Sequence, residues 1–399
     1  MSFFQKAWRL SSGVLVIAAL LGVVLRLYPF YSFGLTYKHL LHTHSHVAVL
    51  GWLFAGFYLF MVWLFVPSEA QAPFRRLFYG MQWAVAGMLC TFPVQGYGPL
   101  SIPFSTLHIL LSYAAIYGLV PFIGKSKQAA VLRHGSLLAL AFHLLATLGT
   151  WALAIVMAKK LKHTPAYELA IKWYLHFEFQ GWFFVAAFVV AAYFLLRRGI
   201  TLPGWKMALF LWTFATLCGY ILYPAWHGIY SPTLQMLRRA GLLAELAITF
   251  WWIWCLLPHY ACTARATPHR IAMLTALATF VGRQFMVALL WQESIAMHSF
   301  AYRAAVIGFL HWMHLGIFTQ VLWAWGAFLF SPRYHYFYAG FFCFLAGFLL
   351  QELDLFMQAI PLIGQKGVFL SPWWLFIAAC FLTCGSSLLL FSFFSRASK

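Results

Sequence analysis

The chain is an almost unbroken succession of apolar stretches, each about as long as a membrane is thick. A helix needs about 20 apolar residues to cross the hydrocarbon of a bilayer. Nearly all of the 399 residues divide into such stretches, separated by short segments that contain Arg, Lys, Pro or Gly. Hydrophobic residues make up 64% of the chain and charged residues 8%, which excludes a water-soluble domain. The sequence therefore predicts an integral membrane protein.

Hydropathy places about twelve membrane spans. No stretch shows the alternating pattern of a membrane barrel, so the spans are predicted to be helices. The fold class is an all-α polytopic bundle that forms one domain over 1–399, with an uncleaved first helix and no evident internal repeat. The predicted spans are 9–30, 40–66, 77–98, 104–123, 135–158, 171–196, 204–225, 238–257, 270–292, 304–330, 334–359 and 372–394.

Positive charge marks the ends of these spans. The 26 Lys and Arg residues outnumber seven acids, giving a net charge of +19. Because they lie between apolar runs, they indicate topology and contact with lipid head groups, and no nucleic acid partner is expected. About 15 lie on the side of both termini and about 10 on the other. This excess predicts both termini in the cytoplasm, and we expect the inner membrane of a bacterium.

Buried ionisable residues are concentrated in the half of the bundle away from the termini. Such a residue costs about 2.5–3.5 kcal/mol or more inside a bilayer, so it is retained for a function or a partner. Neutral imidazoles are common ligands of metals and haem iron, which favours a haem or metal site over a proton path or a structural layer. His143, alone in the middle of its span, is interpreted as a hydrogen-bonded packing residue. The layer comprises His42, His44, His46, His108, His176, Glu178, His227, Glu245, Glu293, His311, His314, Glu352 and Asp354.

Helical spacing separates the histidines of the second span into two faces. His42 and His46 are four residues apart and share a face, whereas His44 points nearly the opposite way. His311 and His314 share a face of the tenth span. The second span can therefore serve two sites. One face could bind a metal, and the other could supply an axial haem ligand opposite a ligand from the tenth span.

Three strings resemble segments of the haem-copper oxidase superfamily, including its nitric oxide reductase branch. HTHSHVAVLGW at 42–52 is similar to the family's helix 2 segment, which carries a ligand of the low-spin haem. HFEFQGW at 176–182 resembles the helix 6 stretch of the reductases, which carries a ligand of the non-haem metal. HWMHLG at 311–316 resembles the helix 10 segment with the axial ligands of both haems. The twelve-helix plan extends the resemblance over the whole chain.

The chain also departs from the family pattern. The family's helix 7 carries adjacent histidines, whereas here only His227 follows that span. The two helix 10 ligands are usually at i and i+2, but here they are at i and i+3. Gln180 replaces the Glu of the reductases, and no Tyr lies four residues after His176. A complete three-His copper site is therefore not expected. The closer likeness is to short, twelve-span haem- and copper-binding proteins associated with nitric oxide stress.

The resemblance implies one or two b-type haems and, as far as the second site is complete, copper or non-haem iron. One haem would lie between the second and tenth spans, with His314 as the favoured ligand from the tenth. The expected catalytic residues are His176, Glu178 and Gln180; the expected haem ligands are His44, His46, His311 and His314; the expected metal ligands are His42, His176 and His227.

The function expected from the resemblance is a membrane haem protein that handles electrons and a diatomic gas, NO or O2. The chain has no CxxCH motif and no soluble copper domain, so the electron donor is expected to be quinol or a separate protein. The buried acids lie away from the termini, which predicts proton uptake from the outside without pumping. Two alternatives remain: a non-haem divalent metal protein or transporter that uses the same layer, and a scaffold subunit whose layer is empty.

Overall fold

The computed structural model describes residues 2–31, 33–261, 267–363 and 371–394, and all regular elements among them are helices. Eleven helices in these ranges are long and apolar enough to cross a membrane. A further helix of 30 residues, Pro232–Ala261, lies where the eighth span was predicted. The prediction of a polytopic helical membrane protein is confirmed. The total number of crossings and the orientation stay predictions.

We number the long helices α1 to α12 along the chain. A short helix, Glu293–His298, joins α9 to α10 and was not predicted from hydropathy. The observed ends differ from the predicted ones by a few residues. The helices are α1 Phe3–Leu27, α2 Tyr37–Phe65, α3 Gln71–Gln95, α4 Ser101–Lys125, α5 Ala130–Ala158, α6 Pro165–Leu196, α7 Trp205–Trp226, α8 Pro232–Ala261, α9 Pro268–Leu289, α10 Arg303–Phe330, α11 Tyr334–Ala359 and α12 Pro372–Ser392.

Local sequence sets several helix ends. Pro165, Pro268 and Pro372 begin α6, α9 and α12, where proline fits because the first helical N–H has no partner within the helix. Gly96 follows α3 with a φ of 59°, and Ser331 follows α10 with a φ of 45°. A positive φ stops a right-handed helix, so the chain turns at these two positions.

Three helices form the centre of the bundle. In the most apolar 18-residue window of α2 and of α6, 89% of residues are buried, and in α10 61% are buried. The corresponding share in the other eight apolar helices lies between 33% and 50%. Because a helix in contact with lipid leaves one side exposed, these values place α2, α6 and α10 inside a ring formed by the others.

Aromatic side chains join the three central helices. The ring of Phe183 on α6 lies 5.9 Å from Phe57 on α2 and 5.5 Å from Phe318 on α10, between centroids. The third side of this triangle, from Phe57 to Phe318, measures 6.4 Å. The indole N–H of Trp52 on α2 also donates to the hydroxyl of Thr319 on α10 over 2.9 Å. Tilted and edge-on ring pairs of this kind are favourable, so they hold the central helices together.

The outer helices close into a ring. The neighbours α3 and α4, α7 and α8, and α11 and α12 pack side by side, and α12 also packs against α1. The backbones of α11 and α12 approach closely, since a Cβ added at Gly385 would lie 2.5 Å from the amide nitrogen of Phe344. The guanidinium of Arg9 donates to the carbonyl of Phe393 over 2.8 Å. Both termini therefore lie at one end of the bundle, which we call the terminal end; the other is the far end.

Candidate functional site

Each central helix changes from α to π geometry directly after a histidine. The π segments are Val47–Phe54 in α2, Phe177–Phe183 in α6 and Trp312–Phe318 in α10. They follow His46, His176 and His311. A π segment is rare and is often found at a functional site. A π segment directly follows a histidine in all three central helices, which indicates that these histidines belong to a functional site.

A short repeat accompanies the π segments. Glycine follows each of these three histidines by five positions, as Gly51, Gly181 and Gly316, at intervals of about 130 residues. The same His-x4-Gly spacing occurs once more, at His335 and Gly340, outside the π segments. A Cβ at Gly51 would lie 2.5 Å from a methyl of Val14 on α1. At Gly181 it would lie 2.5 Å from the ring of Phe142 on α5. Because these glycines have no side chain, the neighbouring helices α1 and α5 can pack closely against the central helices. The sequence alone did not reveal this repeat, because its copies share only two residues, the histidine and the glycine.

Two histidines from different central helices face each other in the half of the bundle near the far end. The ring centroids of His44 on α2 and His311 on α10 are 6.3 Å apart. The Nδ1 atom of His44 bonds the carbonyl of Ala18 over 2.9 Å, and that of His311 bonds the carbonyl of Ile307 over 3.0 Å. A bond of this kind orients the ring and leaves Nε2 as the free nitrogen, which is the usual arrangement of a histidine that ligates a metal.

His42 and His46 point away from this pair, as their spacing predicted. Both rings lie against Tyr97 in the loop after α3, with centroids 4.9 and 5.8 Å away. The Nε2 atom of His46 is 3.3 Å from the Tyr97 hydroxyl, and its ring stacks on Phe92. The structure therefore confirms the two-face arrangement of α2. It brings His44, rather than His46, to a histidine of α10.

His314 lies within the π segment of α10 and is buried. Its Nε2 atom has no hydrogen-bond partner in the described ranges. A buried polar atom without a partner is unfavourable, so this nitrogen is available to a ligand that the protein atoms do not provide. His311 and His314 thus both remain candidate ligands on α10.

The three expected catalytic residues point in different directions. His176 bonds the carbonyl of Thr216 on α7 through Nε2 over 2.7 Å. Glu178 faces His143 on α5, and Gln180 faces Arg283 on α9. The structure does not bring His176, Glu178 and Gln180 to one point, because they contact three different helices, α7, α5 and α9. Their catalytic role stays a prediction.

A buried polar chain runs through α4, α5 and α6. Glu178 is completely buried, and its carboxylate lies 2.9 Å from Nδ1 of His143. The Nε2 atom of His143 is 2.9 Å from the hydroxyl of Ser112. Both ring nitrogens of His143 are bonded, which agrees with its interpretation as a hydrogen-bonded packing residue. The nearby His108 is buried, and its Nε2 has no partner among the described residues.

A second buried polar group joins α6, α8 and α9. Arg283, whose side chain is 1% exposed, forms an ion pair with Glu245 and donates to the side-chain oxygen of Gln180 over 2.6 Å. Its guanidinium carbon lies 4.8 Å from the centroid of Phe184. The sequence placed Arg283 and Glu245 in neighbouring spans, but it did not identify them as partners. The signal was present, because opposite charges buried in adjacent spans tend to pair.

The remaining expected ligand, His227, lies beyond α7 and is 3.5 Å from the carboxylate of Glu168, at the start of α6. His42 and His176 make the separate contacts described above, so the three proposed metal ligands are not brought together. Within the described residues, no group of three or more His, Cys, Asp or Glu side chains forms an arrangement that could hold a metal ion. Of the acids of α11, Glu352 lies against α10 one turn before His311, since a Cβ at Gly308 would be 3.4 Å from its carboxylate. Asp354 accepts from the amide of Gln358 over 2.7 Å.

The fold and the site define a helical membrane protein with a histidine pair between two of its central helices. A comparison with protein-family models finds no match. A comparison with curated proteins finds no significant match either. The function must therefore be argued from the geometry of the site.

Proposed function

We propose that the chain is a membrane haem protein that handles electrons and a diatomic gas, NO or O2, similar to the haem-copper oxidases and nitric oxide reductases. The observation that carries the proposal is the pair of His44 and His311, with rings 6.3 Å apart and each Nδ1 bonded to a backbone carbonyl. Imidazole nitrogens bind metals at about 2.0–2.1 Å. The space between the rings therefore suits one metal with a histidine on each side.

A haem would need only axial ligands from the protein at this pair, because the porphyrin supplies four nitrogens of its own. Gly22 of α1 lies beside the His44 ring, since a Cβ there would be 3.5 Å from it. The buried Nε2 of His314 offers a further ligand for a second haem.

A b-type haem bound between His44 and His311 would supply reversible electron transfer, and gas binding would need a second haem with an open coordination position. The chain's own residues orient the ligand rings. Glu178, His143 and Ser112 form a separate hydrogen-bonded chain, and hydrogen-bonded groups of this kind can relay a proton. We place the protein in a bacterial inner membrane, with quinol or a separate protein as the donor.

The decisive experiment measures haem and metal in one purified preparation. A pyridine haemochrome assay and metal analysis should show at least one b-type haem per chain. His44→Ala and His311→Ala should each abolish the low-spin spectrum. His298→Ala is the matched control, because His298 lies outside the long helices and bonds only the carbonyl of Ser294 in the described structure. His314→Ala decides which histidine of α10 is the ligand.

Three results would contradict the proposal. Absence of haem would do so, as would a low-spin spectrum that survives loss of both His44 and His311. Stoichiometric divalent metal without haem would favour the non-haem metal protein or transporter instead.

A further inference from the structure

An apolar cleft lies between five helices, on the terminal-end side of the Arg283 group. It is lined by α6, α7, α8, α9 and α10. The lining residues include Ala187, Leu209, Trp252, Ala276 and Val321. The histidine site described above does not use this cleft.

Polar side chains lie one or two helical turns beyond the cleft on three of these helices. On α6, Gln180 precedes the lining residue Phe184 by one turn. On α9, Arg283 follows the lining residue Phe280 by one turn. On α8, Glu245 precedes Trp252 by two turns. Because residues at these spacings share a helix face, all three polar groups converge at the same end of the cleft.

Side-chain contacts connect the polar group to the cleft. Arg283 stacks on the ring of Phe184, which lines the cleft, at 4.8 Å. Trp212, another lining residue, donates from its indole nitrogen to the carbonyl of Gln180 over 2.8 Å. The Nε atom of Arg283 is buried and has no hydrogen-bond partner in the part of the chain described. The Nε of Arg283 is therefore an unmatched buried donor one helical turn from the lining residue Phe280.

The charges of this group select the kind of molecule that fits. Glu245 already neutralises Arg283, so an anionic head group would add an uncompensated negative charge in a region of low dielectric. A neutral head group with an oxygen can accept from the free Nε of Arg283. If the head also carries a hydroxyl, it can donate to the carboxylate of Glu245. The apolar walls then cover the tail.

We propose that this cleft binds a neutral amphiphile with a hydroxyl head and a long apolar tail, oriented with its head toward Arg283, Glu245 and Gln180. A quinol and a long-chain alcohol share this chemistry. Binding does not depend on the haem, so this inference goes beyond the proposed function. The cleft opens among membrane-spanning helices, where such molecules dissolve.

The inference can be tested with a photoreactive long-chain alcohol that carries a diazirine in its tail. The purified full chain is labelled, and the labelled residues are identified by mass spectrometry. We expect labelling within the cleft, for example at Leu209, Met273 or Val321. Decylubiquinol and dodecanol are then compared as competitors with dodecanoate and dodecane. Competition by decylubiquinol alone would identify a quinol site, and competition by both hydroxyl compounds would identify a general site for this chemistry.

Two pairs of variants make the test specific. Ala276→Phe fills the cleft and should reduce labelling about tenfold, which corresponds to about 1.4 kcal/mol. Ala278→Phe lies on the exposed side of the same helix and should leave labelling unchanged. The double variant Arg283→Leu with Glu245→Leu removes the polar end without leaving an unpaired charge. It should retain the cleft but lose the preference for hydroxyl compounds over dodecane.

Some outcomes would overturn the inference. Equal competition by dodecane and dodecanol in the wild-type protein would show that the cleft holds only an acyl tail. Stronger competition by dodecanoate would show that the head group is anionic. Labelling outside the cleft, or labelling that Ala276→Phe does not affect, would also reject it. Haem content is measured on the same samples, so failure of the proposed function is distinguished from failure of this inference.

Discussion

At the residue scale, the histidines of α2 differ more in their partners than in their sequence context. His44 and His46 are two positions apart, yet His44 faces α1 and α10, whereas His46 contacts Tyr97 and Phe92. The spacing predicted that they point to different sides. It could not tell which side faces α10, because that depends on how the helix is rotated within the bundle.

We predict that the carboxylate of Glu178 stabilises the fold through His143. Glu178→Ala should lower the free energy of unfolding by about 1–3 kcal/mol, because the buried Nδ1 of His143 loses its acceptor. Glu178→Gln should recover much of this loss, since an amide oxygen can accept the same bond. Thermal unfolding in detergent measures the effect.

The control for this prediction is Glu168→Ala. Glu168 pairs with His227 at 3.5 Å, but its side chain is 59% exposed. Exposed pairs contribute about 0–1 kcal/mol, so this variant should change the stability little. Equal losses for Glu178→Ala and Glu168→Ala would contradict the assignment of a structural role to the buried pair.

Arg283 and Glu245 should behave as a coupled pair. Arg283→Met alone should destabilise the protein by about 3–5 kcal/mol, because it leaves the Glu245 carboxylate without its partner. The double variant Arg283→Met with Glu245→Gln should be more stable than that single variant, since no unpaired charge remains. A double-mutant cycle measured by thermal unfolding gives the coupling. Additive effects would show that the two side chains do not interact.

At the element scale, the three central helices share a design that hydropathy does not reveal. A π segment and an α segment have the same apolar composition, and they differ only in which backbone carbonyl each N–H bonds. Hydropathy therefore predicted α2, α6 and α10 as ordinary spans. Their position next to histidines became visible only in the folded chain.

We predict that the glycines of the His-x4-Gly pattern are required for helix packing. Gly181→Ala should lower stability by about 1–3 kcal/mol, because the added Cβ would lie 2.5 Å from the ring of Phe142. Gly13→Ala is the control, since nothing lies within 4 Å of a Cβ at that position. Alanine is the better helix former, so the control should be neutral or slightly stabilising. Tolerance of Gly181→Ala would show that α5 can move away from α6.

At the scale of the whole molecule, the two termini lie at the same end, as the contact of Arg9 with Phe393 shows. The positive-charge excess predicts that this end is cytoplasmic. Green fluorescent protein fused to either terminus should therefore be fluorescent, and alkaline phosphatase fused to either terminus should be inactive. Active phosphatase at both ends would reverse the orientation, and the histidine pair would then lie near the cytoplasmic face.

We also predict that turnover moves no net protons across the membrane. Glu178 is paired with His143, and Glu245 is paired with Arg283. Each acid therefore belongs to a local polar network, and these networks form no evident proton path to the terminal end. Vesicles containing the protein should show no acidification of the external medium during turnover with a donor and acceptor, when pH is recorded. Uncoupler-sensitive acidification would require a path from the terminal end that crosses the apolar half of the bundle.

The sequence by itself determined the class of protein, because apolar length and backbone hydrogen bonding leave few choices in a membrane. It also determined the layer of buried histidines and the opposite faces of His44 and His46, since helical periodicity is local. Only the tertiary structure decided which residues meet. The pairs His44 with His311, Glu178 with His143 and Glu245 with Arg283 depend on the rotation and depth of different helices. Packing between helices sets these quantities, and they leave little trace in the order of residues along one helix.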